Sequence, residues 1–190
     1  WWDWSLGDPL EAARHLDAMR RAGKIHALGV TNFDVPHLAA LLDAGIPVVA
    51  HQLQCSLLDR RALGAMRTLC EARGVRLLAY GALAGGFLHE RWLGAASPGE
   101  PLENRSLVKY RLIIEEWGGW EPFQSLLRAL HTVAQRHGTT IGAVALRWVL
   151  DQPTVAAALV GARHARHLPE TLAALAVALE LPLRADDAPL

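Results

Sequence analysis

The chain has 190 residues, of which 52% are hydrophobic and 20% are charged, and this composition excludes a disordered chain and predicts one globular domain. The 19 basic and 19 acidic residues cancel, so the charge gives no indication of nucleic acid or an anionic membrane as a partner. The two cysteines make no disulfide framework, and no apolar run approaches the roughly 18 residues of a membrane span, so we predict a cytoplasmic protein.

Four short apolar runs predict the strands of a buried parallel sheet, since each is mostly apolar rather than alternating. Between and around them lie segments with an apolar residue at every third or fourth position, which is the pattern of an amphipathic helix. The predicted strands cover residues 25–31, 48–54, 75–80 and 155–160. The predicted helices cover residues 10–19, 34–42, 63–70, 123–134, 141–149 and 168–179.

Strands that alternate with helices imply right-handed βαβ units and a parallel sheet. Two architectures fit this order: an open doubly wound sheet, or part of a (β/α)₈ barrel. The first usually carries GxGxxG after its first strand, and this sequence has no such motif. A complete barrel typically needs about 250 residues and eight strands. Residues 83–122 form a connection too long for an ordinary loop, and insertions of that size are usually functional.

Polar residues stand at the end of each predicted strand. Thr31 and Asn32 end the first, Gln52 lies near the end of the second, and Tyr80 ends the third. In a barrel, chemistry gathers at the C-terminal ends of the strands, so these side chains are expected on one rim. The amides of Asn32 and Gln52 can each donate and accept hydrogen bonds. Without further information, Asn32 could equally start a turn and Gln52 could be a polar group of the core.

Several strings of this sequence resemble the aldo-keto reductase family. They are GKIHALGVTNF at 23–33, HQLQCSLLDRR at 51–61, LLAYGALAGGFL at 77–88 and GTTIGAVALRWVLDQPTVAAALVGAR at 138–163. They occur in the family's order and at its spacing. The resemblance implies an α/β fold, the C-terminal half of a (β/α)₈ TIM barrel, in which the four predicted strands are strands five to eight. Residues 1–190 would be one partial barrel domain with an insertion at 83–122 and a tail at 181–190.

The resemblance also implies the reaction. The family reduces aldehydes and ketones to alcohols with NADPH, and its catalytic Asp, Tyr, Lys and His lie on the first four strands and the loops after them. The chain opens at Trp1 without a methionine, so we expect the N-terminal half, and with it all four catalytic residues, to be absent. This chain would then supply the cofactor-binding half and no catalytic residue. The alternative is a non-catalytic nucleotide-binding module, or a half-barrel that complements another chain.

Cofactor residues follow position by position from the same resemblance. It implies that Thr31, Asn32 and Gln52 hold the nicotinamide carboxamide and that Tyr80 stacks on the ring. The loop at 81–86 would contact the pyrophosphate, and the start of the last helix, with Arg166, would hold the adenosine 2′-phosphate. The further cofactor residues implied in these two stretches are Gly81, Leu83, Gly85, Gly161, Ala162, Arg163, His167 and Glu170. His167 and Thr171 depart from the family's usual residues, so NAD(H) is possible beside NADP(H).

The remaining expectations concern partners. The substrate would be a small carbonyl compound, and neither nucleic acid nor a membrane is expected. No pattern of metal-ligand spacing is present, so no metal site is predicted. The unpaired edges of a half-barrel sheet would bind either the missing N-terminal half or a second copy of the chain. Trp92, Trp117 and Trp120 could line a substrate pocket or cover the top of the barrel.

Overall fold

A parallel four-stranded sheet forms the centre of the fold. The computed structural model describes residues 3–99, 101–102, 105–161, 165, 168–169 and 171–172. Its elements follow one another as α1 (Pro9–Arg21), β1 (Leu28–Thr31), α2 (Val35–Asp43), β2 (Val48–Gln54), α3 (Ala65–Arg73), β3 (Arg76–Tyr80), α4 (Arg105–Trp117), α5 (Trp120–Arg136), α6 (Ile141–Leu150) and β4 (Val155–Leu159). The predicted alternation of four parallel strands with helices is confirmed.

The strands lie side by side in chain order, β1-β2-β3-β4, and every pair is parallel. An open doubly wound sheet reverses its strand order at a switch point, and the described sheet has no such reversal. The order is that of a barrel segment, in which each strand pairs with the next one along the chain. The structure therefore favours the second of the two architectures that the sequence left open.

The register separates the side chains of the sheet into two faces. His51 on β2 pairs with Val30 and Leu77, while Gln52 pairs with Thr31 and Leu78. Because successive side chains point to opposite faces, these two rows lie on opposite sides of the sheet. His51 and Leu77 are buried at 0% and 1% exposure. Gln52 and Leu78 are only partly buried.

Two strands start later than predicted, for local reasons. β1 starts at Leu28 rather than 25, because Leu28 pairs with Val48, and the residue before Val48 is Pro47, which has no N–H for a ladder. β3 starts at Arg76 rather than 75, because the N–H of Val75 donates to the carbonyl of Cys70 and closes α3. The C-terminal residue of α3 is followed by Gly74 with φ 68°, the left-handed conformation that glycine adopts without strain.

The long connection after β3 contains a helix that the sequence pattern did not predict. α4 buries Leu107, Tyr110 and Ile114 on one face, and α5 follows it at Trp120. The predicted helix at 123–134 is confirmed, but it starts at Trp120. Of the last predicted helix, at 168–179, the structure describes only residues 168–169 and 171–172, which are helical.

Candidate functional site

The end of β1 is a turn held by two neighbouring residues of β2. Asn32 adopts φ 56°, a left-handed conformation that asparagine tolerates better than most residues. Its N–H donates to the carbonyl of Gln52 at 3.1 Å, and the Thr31 hydroxyl donates to the same carbonyl at 3.0 Å. The next N–H, that of Phe33, donates to Nε2 of His51 at 3.1 Å. The backbone N–H groups of Asn32 and Phe33 are therefore both hydrogen-bonded to β2.

Tyr80 reaches the same turn from β3. Its hydroxyl donates to Oδ1 of Asn32 at 2.8 Å. Gln52 lies on the strand between them, in register with Thr31 on one side and Leu78 on the other. The structure thus brings four of the predicted site residues together on one rim: Thr31, Asn32, Gln52 and Tyr80. Two amides and one aromatic ring are a suitable set for a flat group that carries a carboxamide.

The glycine loop after Tyr80 is covered by a tyrosine of α4. A Cβ added to Gly81 would lie 2.3 Å from the hydroxyl oxygen of Tyr110, and one added to Gly85 would lie 2.5 Å from its ring. Both glycines have positive φ, at 71° and 64°. Leu83, between them, is partly buried. Close packing of Tyr110 is thus a local reason for these two glycines, besides the pyrophosphate contact that the resemblance implies.

The ammonium group of a lysine lies close to the Tyr80 ring. The ammonium of Lys109, on α4, lies 5.1 Å from the ring centre of Tyr80 and 5.2 Å from that of Tyr110, within the range of a cation–π contact. Burial raises the pKa of Tyr110 to about 12, and nearby Tyr80 and Asp59 add to that effect. Tyr110 is therefore a neutral phenol at physiological pH.

A buried carboxylate stiffens the loop after β2. The Asp59 side chain is 4% exposed and accepts hydrogen bonds from Nε2 of Gln54 at 2.7 Å and from Nε and Nη2 of Arg61 at 2.9 and 2.6 Å. Burial alone would raise the pKa of Asp59, but the hydrogen bonds and the charge of Arg61 outweigh it and hold the pKa below its usual value. The Arg61 guanidinium is largely exposed, and its hydrogen bonds to Asp59 fix its position.

The tryptophans of the long connection pack into an aromatic cluster. Trp92 and Trp120 lie 5.9 Å apart at nearly right angles, and both contact Phe87. Their indole N–H groups donate to the carbonyls of Gly86 and Ala95, both at 2.9 Å. These contacts stabilise the long connection, and a substrate pocket lined by its tryptophans stays a prediction.

Part of the predicted site cannot be placed. Gly161 is exposed just beyond β4. The other predicted residues of that stretch, Ala162, Arg163, His167 and Glu170, lie outside the described residues, as does Arg166. Among the residues that are described, no three His, Cys, Asp or Glu side chains are grouped so that they could hold a metal ion. None of the described helices has the length and apolar character needed to cross a membrane.

His51 is a site residue that the sequence interpretation missed. Its imidazole is fully buried, Nε2 accepts from the turn, and no described atom pairs with the buried Nδ1. Burial lowers its pKa to about 4, so the ring is neutral. A histidine beside Gln52 was visible in the string HQLQ, but its contact with Phe33 depends on the register of β1 against β2, which no spacing within the string reveals.

The sheet order is that of a segment of a (β/α) barrel, and the comparison with known families agrees with it. Residues 1–182 match the aldo/keto reductase family. The chain belongs to this family. The expected family and the expected fold class are both confirmed.

Individual relatives extend the comparison. The chain is 30% identical over 171 residues to flagellar radial spoke protein 5 of Chlamydomonas reinhardtii, covering 80% of this chain and 32% of that protein. It is 32% identical over 162 residues to the chloroplastic pyridoxal reductase of Arabidopsis thaliana, covering 83% and 41%. Its fold matches the glycerol dehydrogenase of Gluconobacter oxydans with a TM-score of 0.72 at 26% identity, covering 95% and 52%. The chain therefore spans between about a third and about half of the length of these proteins.

Proposed function

We propose that this chain forms the nicotinamide-binding half of an aldo-keto reductase barrel that reduces a small aldehyde or ketone. The observation that carries the proposal is the convergence of Asn32, Gln52 and Tyr80 on one rim, with the Tyr80 hydroxyl 2.8 Å from Oδ1 of Asn32. Family membership supports an oxidoreductase that uses a nicotinamide cofactor. NADP(H) is the proposed cofactor, with NAD(H) as the alternative.

The roles of this chain's residues in that reaction are binding and orientation. When bound, the reduced nicotinamide supplies a hydride to the carbonyl carbon of the substrate. Asn32 and Gln52 would hold the carboxamide of the cofactor, and Tyr80 would lie against one face of its ring. The group that protonates the carbonyl oxygen would come from the other half of a complete barrel. General acid catalysis of that kind typically contributes about 10²–10⁴-fold, so this chain alone is expected to be a poor catalyst.

The test is a titration of the purified chain with NADPH and with NADH, followed by energy transfer from tryptophan to the reduced nicotinamide. We expect saturable binding, weakened roughly tenfold by Gln52→Leu, because a lost pair of hydrogen bonds is worth about 1–1.5 kcal/mol. Gln135→Leu, at an exposed position of α5, is the matched control and should leave the affinity unchanged. Absence of saturable binding by a chain that unfolds cooperatively would overturn the proposal.

A second candidate function is a non-catalytic assembly module. It is favoured by the similarity to a flagellar radial spoke protein, whose name refers to a part of the flagellum. The same titration separates the two functions. A folded chain that binds neither dinucleotide, yet forms a stable complex with itself or with a second half-barrel, would favour the assembly module.

A further inference from the structure

The turn that presents Asn32 needs an acceptor for the N–H of Phe33. Phe33 is 7% exposed, and its N–H is buried. A buried N–H without a partner costs about 1–3 kcal/mol, so an acceptor for this group stabilises the turn in which Asn32 has its left-handed conformation. The neighbouring carboxylate, Asp34, is engaged by the N–H of His37 at 2.9 Å, as the N-cap of α2. The acceptor for Phe33 is Nε2 of His51 at 3.1 Å.

This contact fixes the form of the imidazole. Nε2 can accept from Phe33 only if it carries no proton, so the single hydrogen of the neutral ring is on Nδ1. The ring cannot turn away, because it is fully buried and meets the Phe33 ring edge to face at 6.5 Å. His51 and Gln52 are consecutive on β2, and they hold the consecutive amides of Phe33 and Asn32. One strand therefore anchors the turn twice, through the backbone carbonyl of Gln52 and through the side chain of His51.

We propose that His51 is a positioning residue of the nicotinamide site, which acts as a hydrogen-bond acceptor for Phe33 and so holds the Asn32 amide where the cofactor carboxamide binds. This inference rests on the proposed function. It assigns His51 no contact with substrate or cofactor. A histidine that merely filled the core would be replaceable by any side chain of similar volume, whereas a positioning acceptor would not.

The test compares three variants by NADPH affinity and by thermal stability. His51→Leu removes the acceptor, while His51→Gln places an amide oxygen near the position of Nε2. Leu77→Val is the matched control, because Leu77 is the register partner of His51 in the same buried row and stands on β3, which β2 separates from β1. We expect His51→Leu to raise the Kd at least about tenfold, and His51→Gln and Leu77→Val to stay within about threefold of the parent chain.

A second measurement needs no cofactor. Imidazole ¹⁵N shifts should show Nδ1 protonated and Nε2 unprotonated, and the Phe33 amide should be protected from hydrogen exchange in the parent chain but not in His51→Leu. An unchanged Kd in His51→Leu, an equal loss of affinity in Leu77→Val, or a proton on Nε2 would each overturn the inference. If the parent chain binds no dinucleotide, the proposed function fails, and so does the cofactor role of His51. The hydrogen-exchange data then show whether the hydrogen bond between Phe33 and His51 exists.

Discussion

Burial keeps the His51 ring neutral at a pH where an exposed histidine is charged. An ordinary histidine titrates near pH 6.5, and burial lowers the pKa of His51 to about 4. Between these two pH values, His51 is protonated in the unfolded chain and neutral in the folded chain. The free energy of unfolding therefore falls as the pH is lowered from about 6.5 to about 4. Above about pH 6.5 the ring is neutral in both states, and this loss of stability is absent.

We expect His51→Gln to reduce this pH dependence by up to about 3 kcal/mol between pH 6.5 and 4, because the titrating group is gone. Urea unfolding at several pH values across the window measures the effect. The control is His15→Gln on α1, whose side chain is 78% exposed, and it should leave the slope as it is. A parent-like slope in His51→Gln would contradict the assignment of the buried, neutral ring.

The contact of Tyr110 with the glycine loop predicts a second effect at the residue scale. Gly45 and Gly81 have similar positive φ, 78° and 71°, but a Cβ on Gly45 meets nothing within 4 Å. Gly45→Ala should therefore cost only the backbone strain, about 1–2 kcal/mol. Gly81→Ala should cost about 1–3 kcal/mol more, because the new methyl group overlaps the Tyr110 hydroxyl.

A double-variant cycle separates strain from overlap. In a Tyr110→Phe background the atom 2.3 Å from the new Cβ is missing, so the cost of Gly81→Ala should fall, while that of Gly45→Ala should not change. Both costs are measured by urea unfolding. An equal loss of stability from Gly81→Ala and Gly45→Ala would contradict the close contact between Tyr110 of α4 and the glycine loop.

Some residues of the candidate site were predictable and others were not. Asn32, Gln52 and Tyr80 follow apolar runs directly, and parallel strands bring such ends to one edge. His51 and Tyr110 act through partners 18 or more positions away in the chain, Phe33 and the glycine loop. Those contacts depend on strand register and on the placement of α4. Neither can be predicted from the spacing of residues within a short stretch of sequence. Sequence patterns therefore find the residues that end elements better than the residues that support them.

At the scale of elements, α6 shows how a helix start is held from two directions. The Thr140 hydroxyl accepts from the N–H of Ala143 at 3.1 Å, and the N–H of Ile141 donates to Oε1 of Glu90 at 2.5 Å. Thr140 is the N-cap of α6, and Glu90 belongs to the loop after β3. The negative charge of Glu90 also suits the positive end of the helix dipole. α6 and the connection after β3 are thus joined at this point.

We expect Thr140→Ala to lower the free energy of unfolding by about 1 kcal/mol, because one N–H at the start of α6 loses its acceptor. Thr132→Ala is the control, since the exposed Thr132 hydroxyl on α5 donates to the Arg128 carbonyl and caps nothing. That change should stay within about 0.5 kcal/mol of the parent. Thermal unfolding followed by circular dichroism is sufficient, and a larger loss in Thr132→Ala would contradict the capping role.

The helix that the sequence pattern missed has a physical explanation. Leu107, Tyr110 and Ile114 form the buried face of α4 at helical spacing, but Val108 and Leu112 are also apolar and exposed. Apolar residues on both faces blur the period that marks an amphipathic helix. By contrast, the apolar residues of α5 keep to one face, and the helix was predicted from them.

At the scale of the whole molecule, the described sheet has two edges. β1 pairs only with β2, and β4 only with β3, within the residues that the structure describes. Unpaired strand edges are templates for association with another strand. Leu159 on β4 is 43% exposed, which adds apolar surface to that edge.

We expect the 190-residue chain to associate with itself at micromolar concentrations and above, as measured by sedimentation velocity against its monomer mass of 20.7 kDa. Leu159→Lys should weaken association, because a charge on an edge strand opposes pairing. Leu112→Lys, at a position of α4 that is 60% exposed, should not. A parent chain that stays monomeric at all concentrations would contradict this expectation.

The pairing of the strands in chain order also has a consequence for how the protein folds while it is synthesised. The Thr31 hydroxyl and the Gln52 carbonyl that pair across β1 and β2 are 21 positions apart, whereas Arg76 and the Val155 carbonyl, which pair across β3 and β4, are 79 apart. Closing the longer loop costs roughly 1.2 kcal/mol more in chain entropy. On the ribosome, β1, β2 and β3 emerge before β4, because they precede it in the chain. Asn32, Gln52 and Tyr80 can therefore meet before β4 is available to pair with β3.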